Sequence, residues 1–144
     1  MAFFCEKHLP RILLDNEEYK AKNYEKALQE TFVEIDWLLI NDEGQKLMEA
    51  ILLQMKQALK GPNAKLDELD RKECRAIPFN AGCTACVCLI TQDTIYCSNS
   101  GDSRAILVSK SGKVTELSHD HKPDDIGEMQ RIKAAGGFVD DGRV

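Results

Sequence analysis

Ala85-Cys86-Val87-Cys88-Leu89-Ile90, Ile95-Tyr96-Cys97-Ser98-Asn99-Ser100 and Gly101-Asp102-Ser103-Arg104 decide how this chain is read. The first two runs predict strands, and the polar Thr91-Gln92-Asp93-Thr94 between them predicts a turn. Gly101-Asp102 predicts a tight bend, because both residue types tolerate turn backbone angles. Past it, 105–109 and 114–117 read as a third and a fourth strand around Lys110-Ser111-Gly112-Lys113. Short strands joined in this way predict an antiparallel β-meander over 82–117.

Upstream the period changes, and 1–60 reads as helices. Residues 2–15 predict a first helix with Phe4, Leu9, Ile12 and Leu13 as its apolar contacts, and Pro10 is expected to kink or split it. Lys20 to Asn23 reads as a polar connection. Tyr24, Leu28, Thr31 with Phe32, Ile35 and Leu39 recur at helical spacing, with Asn23 as the expected cap. Leu47, Ile51, Met55 and Leu59 form another such stripe, with Asp42 as its expected cap and Gly61-Pro62 as its stop. These stripes read as core and not as a cofactor site. Residues 61–81, with Pro78 and Asn80, read as a surface loop in which Leu66 and Leu69 support one short turn of helix. After 118 a last helix starts near Asp125, with Asp125 and Glu128 spaced as a capping box and Gly136-Gly137 as its end. The whole predicts one α+β domain over 1–144, with helices packed on an antiparallel sheet.

Composition narrows the function classes. The 144 residues are 43% hydrophobic and 30% charged, ordinary values for a globular domain. A net charge of −5 argues against nucleic acid as a partner. No apolar run is long enough to cross a bilayer, so no membrane partner is expected. The opening Met-Ala-Phe-Phe-Cys-Glu-Lys-His does not read as an export signal, so a cytoplasmic or nuclear setting is expected.

Six cysteines raise the question of a zinc site. On a strand, Cys83 faces opposite to Cys86 and Cys88, and no second paired motif completes a zinc set. Buried free thiols are the expected state. Asp102, taken alone, is a turn residue, because a metal needs oxygen ligands converging from several places.

Four short signatures change that reading: Gly82-Cys83-Thr84-Ala85, Gly101-Asp102-Ser103-Arg104, Asp120-His121-Lys122-Pro123 and Arg131 to Gly137. Their order and spacing resemble the type 2C metal-dependent protein serine/threonine phosphatases. The resemblance implies part of an αββα sandwich. It implies that Asp102 reaches a metal centre from the end of a core strand, where it serves an additional, more weakly held ion. Mg²⁺ or Mn²⁺ and a phosphoserine or phosphothreonine protein substrate are implied with it. Arg104 is expected to be a structural ion-pair partner. Asp120 and His121 are expected to form a turn into the following helix. Arg131 to Gly137 resembles the start of the family's flap, so 118–144 reads as the flap region. The chain lacks the family's Asp-Gly-His-Gly-Gly and its last acidic motifs, and Asp140-Asp141-Gly142 is not followed by the family's aromatic-Asp pair. An internal portion of a phosphatase, with no catalytic residue of its own and little turnover alone, is therefore expected. The region 42–81 resembles a lineage-specific insertion. Unpaired sheet edges predict self-association. The alternative function is a catalytically dead binding or regulatory module, and a zinc module is a third.

Overall fold

The computed structural model describes residues 1–75 and 82–144. Among them are six helices and four strands, the α+β class that the sequence predicts. The chain divides into two compact units, Met1–Cys83 and Thr84–Val144.

The first unit is helical. Helix α1 (Ala2–Asp15) buries Phe4, Leu9 and Leu13, and it runs unbroken through Pro10, so the predicted split does not occur. Proline removes one helical hydrogen bond, the one to the carbonyl of Glu6. Pro10 and Glu6 are both exposed, so that carbonyl can turn to water while Leu9 and Leu13 hold the helix in the core. A single turn, α2 (Glu17–Lys20), follows, capped by Asn16, whose Oδ1 accepts from the amides of Glu18 (2.9 Å) and Tyr19 (3.1 Å).

Helix α3 (Tyr24–Ile40) buries Ala27, Leu28, Thr31 and Ile35, the face that the periodicity predicts. Asn23 precedes it but makes no cap, because its side-chain amide donates to Glu18 instead (3.0 Å). Helix α4 (Asp42–Lys60) is capped by Asn41, not by Asp42. Asn41 has the extended backbone a cap requires, and its Oδ1 accepts from the amide of Gly44 at 2.8 Å. The buried line of α4 is Gly44, Met48 and Ile51, and it does not continue as predicted, since Met55 is 39% and Leu59 86% exposed. Helix α4 packs on α3 and α1, and its Lys56 and Lys60 reach helix α5 (Glu68–Arg75).

Most of α5 falls where the sequence predicts a loop, and polar contacts hold it alongside the buried Cys74. Asp67 and Asp70 cap each other, the amide of Asp70 donating to Asp67 Oδ1 (2.8 Å) and that of Asp67 to Asp70 Oδ2 (3.0 Å). Lys60 and Lys56 reach across from α4 to the same Asp70 carboxylate. The Lys60 contact, followed by the Asp67 amide, holds that carboxyl down at about 2. A depressed folded-state pKa gives stability that is present above the ordinary carboxylate value, near 4, and is lost as pH falls from there toward 2. Asp70→Asn is therefore expected to lower the urea midpoint at pH 6 and to leave a much smaller deficit at pH 2. An equal deficit at both pH values would refute the ionic role. Residues 76–81 of the predicted loop, with Pro78 and Asn80, lie outside the described residues.

The second unit holds the strands. Strands β1 (Ala85–Ile90) and β2 (Ile95–Ser100) pair antiparallel with Ala85 opposite Ser100 and Cys88 opposite Cys97. Strands β3 (Ile106–Val108) and β4 (Val114–Glu116) pair in the same way, with Ile106 opposite Glu116. All four come in the predicted order. They form two hairpins in separate two-stranded sheets rather than one continuous meander. The reason lies in the linking segment, which bonds to residues after β4: His121 N donates to Gly101 O (3.0 Å) and Leu117 N to Ala105 O (2.9 Å). Helix α6 (Ile126–Ala134) buries Ile132. The capping box predicted for it is not made, because Asp125 gives no side-chain bond and Glu128 pairs with Arg131. No helix among the described residues is long and apolar enough to cross a membrane.

Candidate metal-ligand turn

The bend after β2 is where the sequence motifs of the second unit converge. Gly101 has φ +104°, in the region that favours glycine, and its α-carbon lies against Thr84. Thr84 Oγ1 and Ser103 Oγ share a hydrogen bond of 2.7 Å across the bend. Asn99 Nδ2 donates to two carbonyls, those of Gly101 (3.0 Å) and His119 (2.7 Å), and so ties the bend to the segment after β4. The Gly101 amide approaches His121 Nδ1 at 3.4 Å.

Arg104 closes the arrangement. Its guanidinium grips Asp120 with two bonds, Nε at 2.9 Å and Nη2 at 2.8 Å, the structural ion pair expected of it. The Arg104 hydrogen bonds hold the Asp120 carboxyl below its ordinary range, against the opposing effect of burial. Asp120 and His121 thus brace a turn, and Lys122 to Asp125 carries the chain into α6 through an amide-to-carbonyl bond of 2.9 Å.

Asp102 sits exposed at the tip of this braced bend, with no hydrogen bond or ion pair among the described residues. Its backbone is braced from both sides, by the Gly101 contacts and by Arg104. A divalent ion needs more than this, since Mg²⁺ and Ca²⁺ collect six or more oxygen ligands. Among the described residues no three His, Cys, Asp or Glu side chains are placed to hold a metal ion. The residues present therefore fit one ligand of a divalent site and not the site itself. Asp140 and Arg143 bond each other through their backbones (2.8 and 3.0 Å) around Asp141 and Gly142, which makes that segment a tight turn.

All the cysteines are free, but their burial differs from expectation. Cys74 is buried, Cys83 and Cys88 are exposed, and Cys5, Cys86 and Cys97 are intermediate. A strand in a two-stranded sheet leaves much of its surface open, and that keeps Cys88 in contact with solvent. Cys86 and Cys88 do share a face, as alternation predicts, and both approach Cys97, with Cys86 Sγ 4.0 Å from Cys97 Sγ. Burial first, then these two thiols, pushes Cys97 up to about 12. A protonated thiol is a poor metal ligand. Cys83 Sγ lies 3.9 Å from Cys5 Sγ.

Asn99 and Ser103 were not singled out by the sequence. Each has one partner about twenty positions away, Asn99 at the His119 carbonyl and Ser103 at the Thr84 hydroxyl. The signal that could have found Asn99 is weak: an amide side chain one residue before the end of a strand that leads into a glycine bend.

Comparison with known proteins gives a consistent result. A protein-family model described as protein phosphatase 2C matches residues 1–144. "Probable protein phosphatase 2C 5" of Paramecium tetraurelia is 44% identical over 144 residues, covering 100% of this chain and 42% of its own length. "Protein phosphatase 2C 1" of the same organism is 40% identical, with 100% of this chain and 41% of the relative covered. "Protein phosphatase 2C homolog 2" of Schizosaccharomyces pombe is 34% identical over 145 residues, covering 100% of this chain and 30% of the relative. The chain thus spans less than half the length of these relatives.

Proposed function

Because the chain belongs to the protein phosphatase 2C family, we propose that it is part of a metal-dependent phosphatase that hydrolyses phosphoserine and phosphothreonine in proteins. The observation that carries this reading is the family match along the full 144 residues. Asp102 supports the finer reading, as an exposed carboxylate at a braced bend with no ion pair among the described residues. Carboxylate oxygen is the ligand type that Mg²⁺ and Mn²⁺ prefer. When bound, such ions activate water and offset charge on the phosphoryl oxygens. This chain's own contribution is to fix where one ligand stands. Gly101, Asn99 and the Thr84–Ser103 pair set the backbone, and Arg104 with Asp120 locks the flanking segment.

One carboxylate does not hold a metal pair, so the chain by itself hydrolyses little phosphopeptide. The same shortage of converging ligands favours a second reading, a phosphatase-like binding module without turnover.

A chimera separates these readings. The 144 residues replace the matching segment of "Protein phosphatase 2C 1" from Paramecium tetraurelia. Turnover of a phosphothreonine peptide is then followed against Mn²⁺ concentration. The chimera is expected to be active and the isolated chain nearly inert. Asp102→Ala in the chimera is expected to raise the Mn²⁺ needed for half-maximal rate by about 10-fold or more, since even residues behind metal ligands cost that much. A folded but inert chimera would favour the binding module. An unchanged Mn²⁺ response in the variant would remove Asp102 from the site, and equal rates for isolated chain and chimera would overturn the incomplete ligand set.

A further inference from the structure

Helix α3 carries a second apolar face, turned away from its core. Val33 is 60%, Trp37 64% and Ile40 50% exposed. Their spacing of four and three residues places them on one stripe, opposite the buried Ala27, Leu28, Thr31 and Ile35. Val33 and Trp37 floor a shallow groove of about 510 Å³, whose walls are Gln29, Glu30 and Glu34. An exposed tryptophan with aliphatic neighbours on a helix is the composition of an interface anchor, because it buries large area at small entropic cost.

The charges around the stripe say what it can accept. Glu30 and Glu34 line the groove, and Asp36 precedes the tryptophan. Glu34 makes no ion pair among the described residues. The nearby cation on this face, Lys26, is engaged by Glu18 and lies 3.6 Å from Glu30. An acidic rim repels an anionic lipid surface, and it repels the same rim on a second copy of a chain of net charge −5. It attracts arginine and lysine, which also stack favourably on an indole face. We infer that this face docks a basic amphipathic segment of another protein, with a cationic side chain over Trp37 beside Glu34 and aliphatic side chains against Val33 and Ile40. The inference does not rest on the phosphatase reading.

Trp37 is the sole tryptophan, so its fluorescence reports on this patch alone. The 144-residue chain is titrated with a synthetic peptide that has leucine at helical spacing and arginine between. Saturable blue-shifted emission is expected, and the same peptide with glutamate for arginine should give none. With a labelled peptide read by anisotropy, Trp37→Ala and Glu34→Lys are each expected to weaken binding by about 10-fold. Both positions are exposed, and unchanged helical circular dichroism checks that the variants fold. The proposal is overturned if both variants bind as the parent does, if the glutamate peptide binds equally, or if the emission stays put while the arginine peptide binds. A shift produced by phosphatidylserine vesicles would overturn it in favour of a lipid surface. A concentration-dependent shift without peptide would overturn it in favour of self-association.

Discussion

Alanine at position 44 is expected to destabilise the helical unit by about 3 kcal/mol or more. Gly44 is buried in the first turn of α4, where that turn passes the end of α3. A methyl group there would stand 1.5 Å from the carbonyl oxygen of Leu38 and 2.5 Å from its carbon. Those are backbone atoms, so no rotamer change relieves the clash. Asn41 alone joins the two helices, so the chain has no slack to open the gap. Relief must come by moving the start of α4. That move breaks the cap from Asn41 Oδ1 to the Gly44 amide and lifts Met48 and Ile51 from the core. Loss of a cap alone costs about 1 kcal/mol. Urea unfolding followed by helical circular dichroism measures the effect. Gly127→Ala is the control, since a methyl there meets nothing within 4 Å inside α6. It is expected to gain up to about 1 kcal/mol from helix propensity. A Gly44→Ala midpoint equal to the parent's would show that the close approach of α3 and α4 is wrong.

The close approach at Gly44 also marks where the sequence could and could not be read. Three long helices are legible because each buries one face, and burial imposes a 3.6-residue period on Leu, Ile and Phe. Their caps are less legible. Asn23, Asn41, Asp42 and Asp125 all have cap chemistry, yet of these only Asn41 makes a side-chain cap, although Asp125 shares its extended backbone. Helix α5 was hidden because lysines from α4 and a reciprocal aspartate cap hold it, and no apolar period records such contacts. The strands were visible by composition. Their division into two hairpins was not, because it depends on residues 117–121 bonding back to 101–105. At the turn, the ion-pair role of Arg104 was legible from its motif, while its partner Asp120 emerges only from the fold. The bracing by Asn99 was not legible, since its bond to the His119 carbonyl twenty positions away leaves no local pattern.

The bend that carries Asp102 can be tested without any metal. Gly101→Ala is expected to destabilise the β1–β2 hairpin by about 3 kcal/mol, from two separable causes. The first is conformational. A φ of +104° is strained for any residue with a side chain, at about 1–3 kcal/mol. The second is steric. The new methyl would lie 2.6 Å from Thr84 Cγ2 and 3.0 Å from Thr84 Cβ. Thr84 cannot easily rotate away, because its hydroxyl is engaged with Ser103 at 2.7 Å. Thr84→Ser removes the offending methyl and keeps the hydroxyl, so it relieves most of the second cause and none of the first. Amide exchange in β1 and β2 is the measurement, because it reads the opening of this hairpin directly. Gly101→Ala should accelerate exchange of the paired amides by about 100-fold, as 3 kcal/mol implies when opening is at equilibrium. The double variant with Thr84→Ser should recover part of that loss. Unaltered exchange in the single variant would mean that the bend is not held at positive φ. Full recovery in the double variant would assign the whole cost to the contact with Thr84, and the backbone of Gly101 would then place no special demand on the position of Asp102.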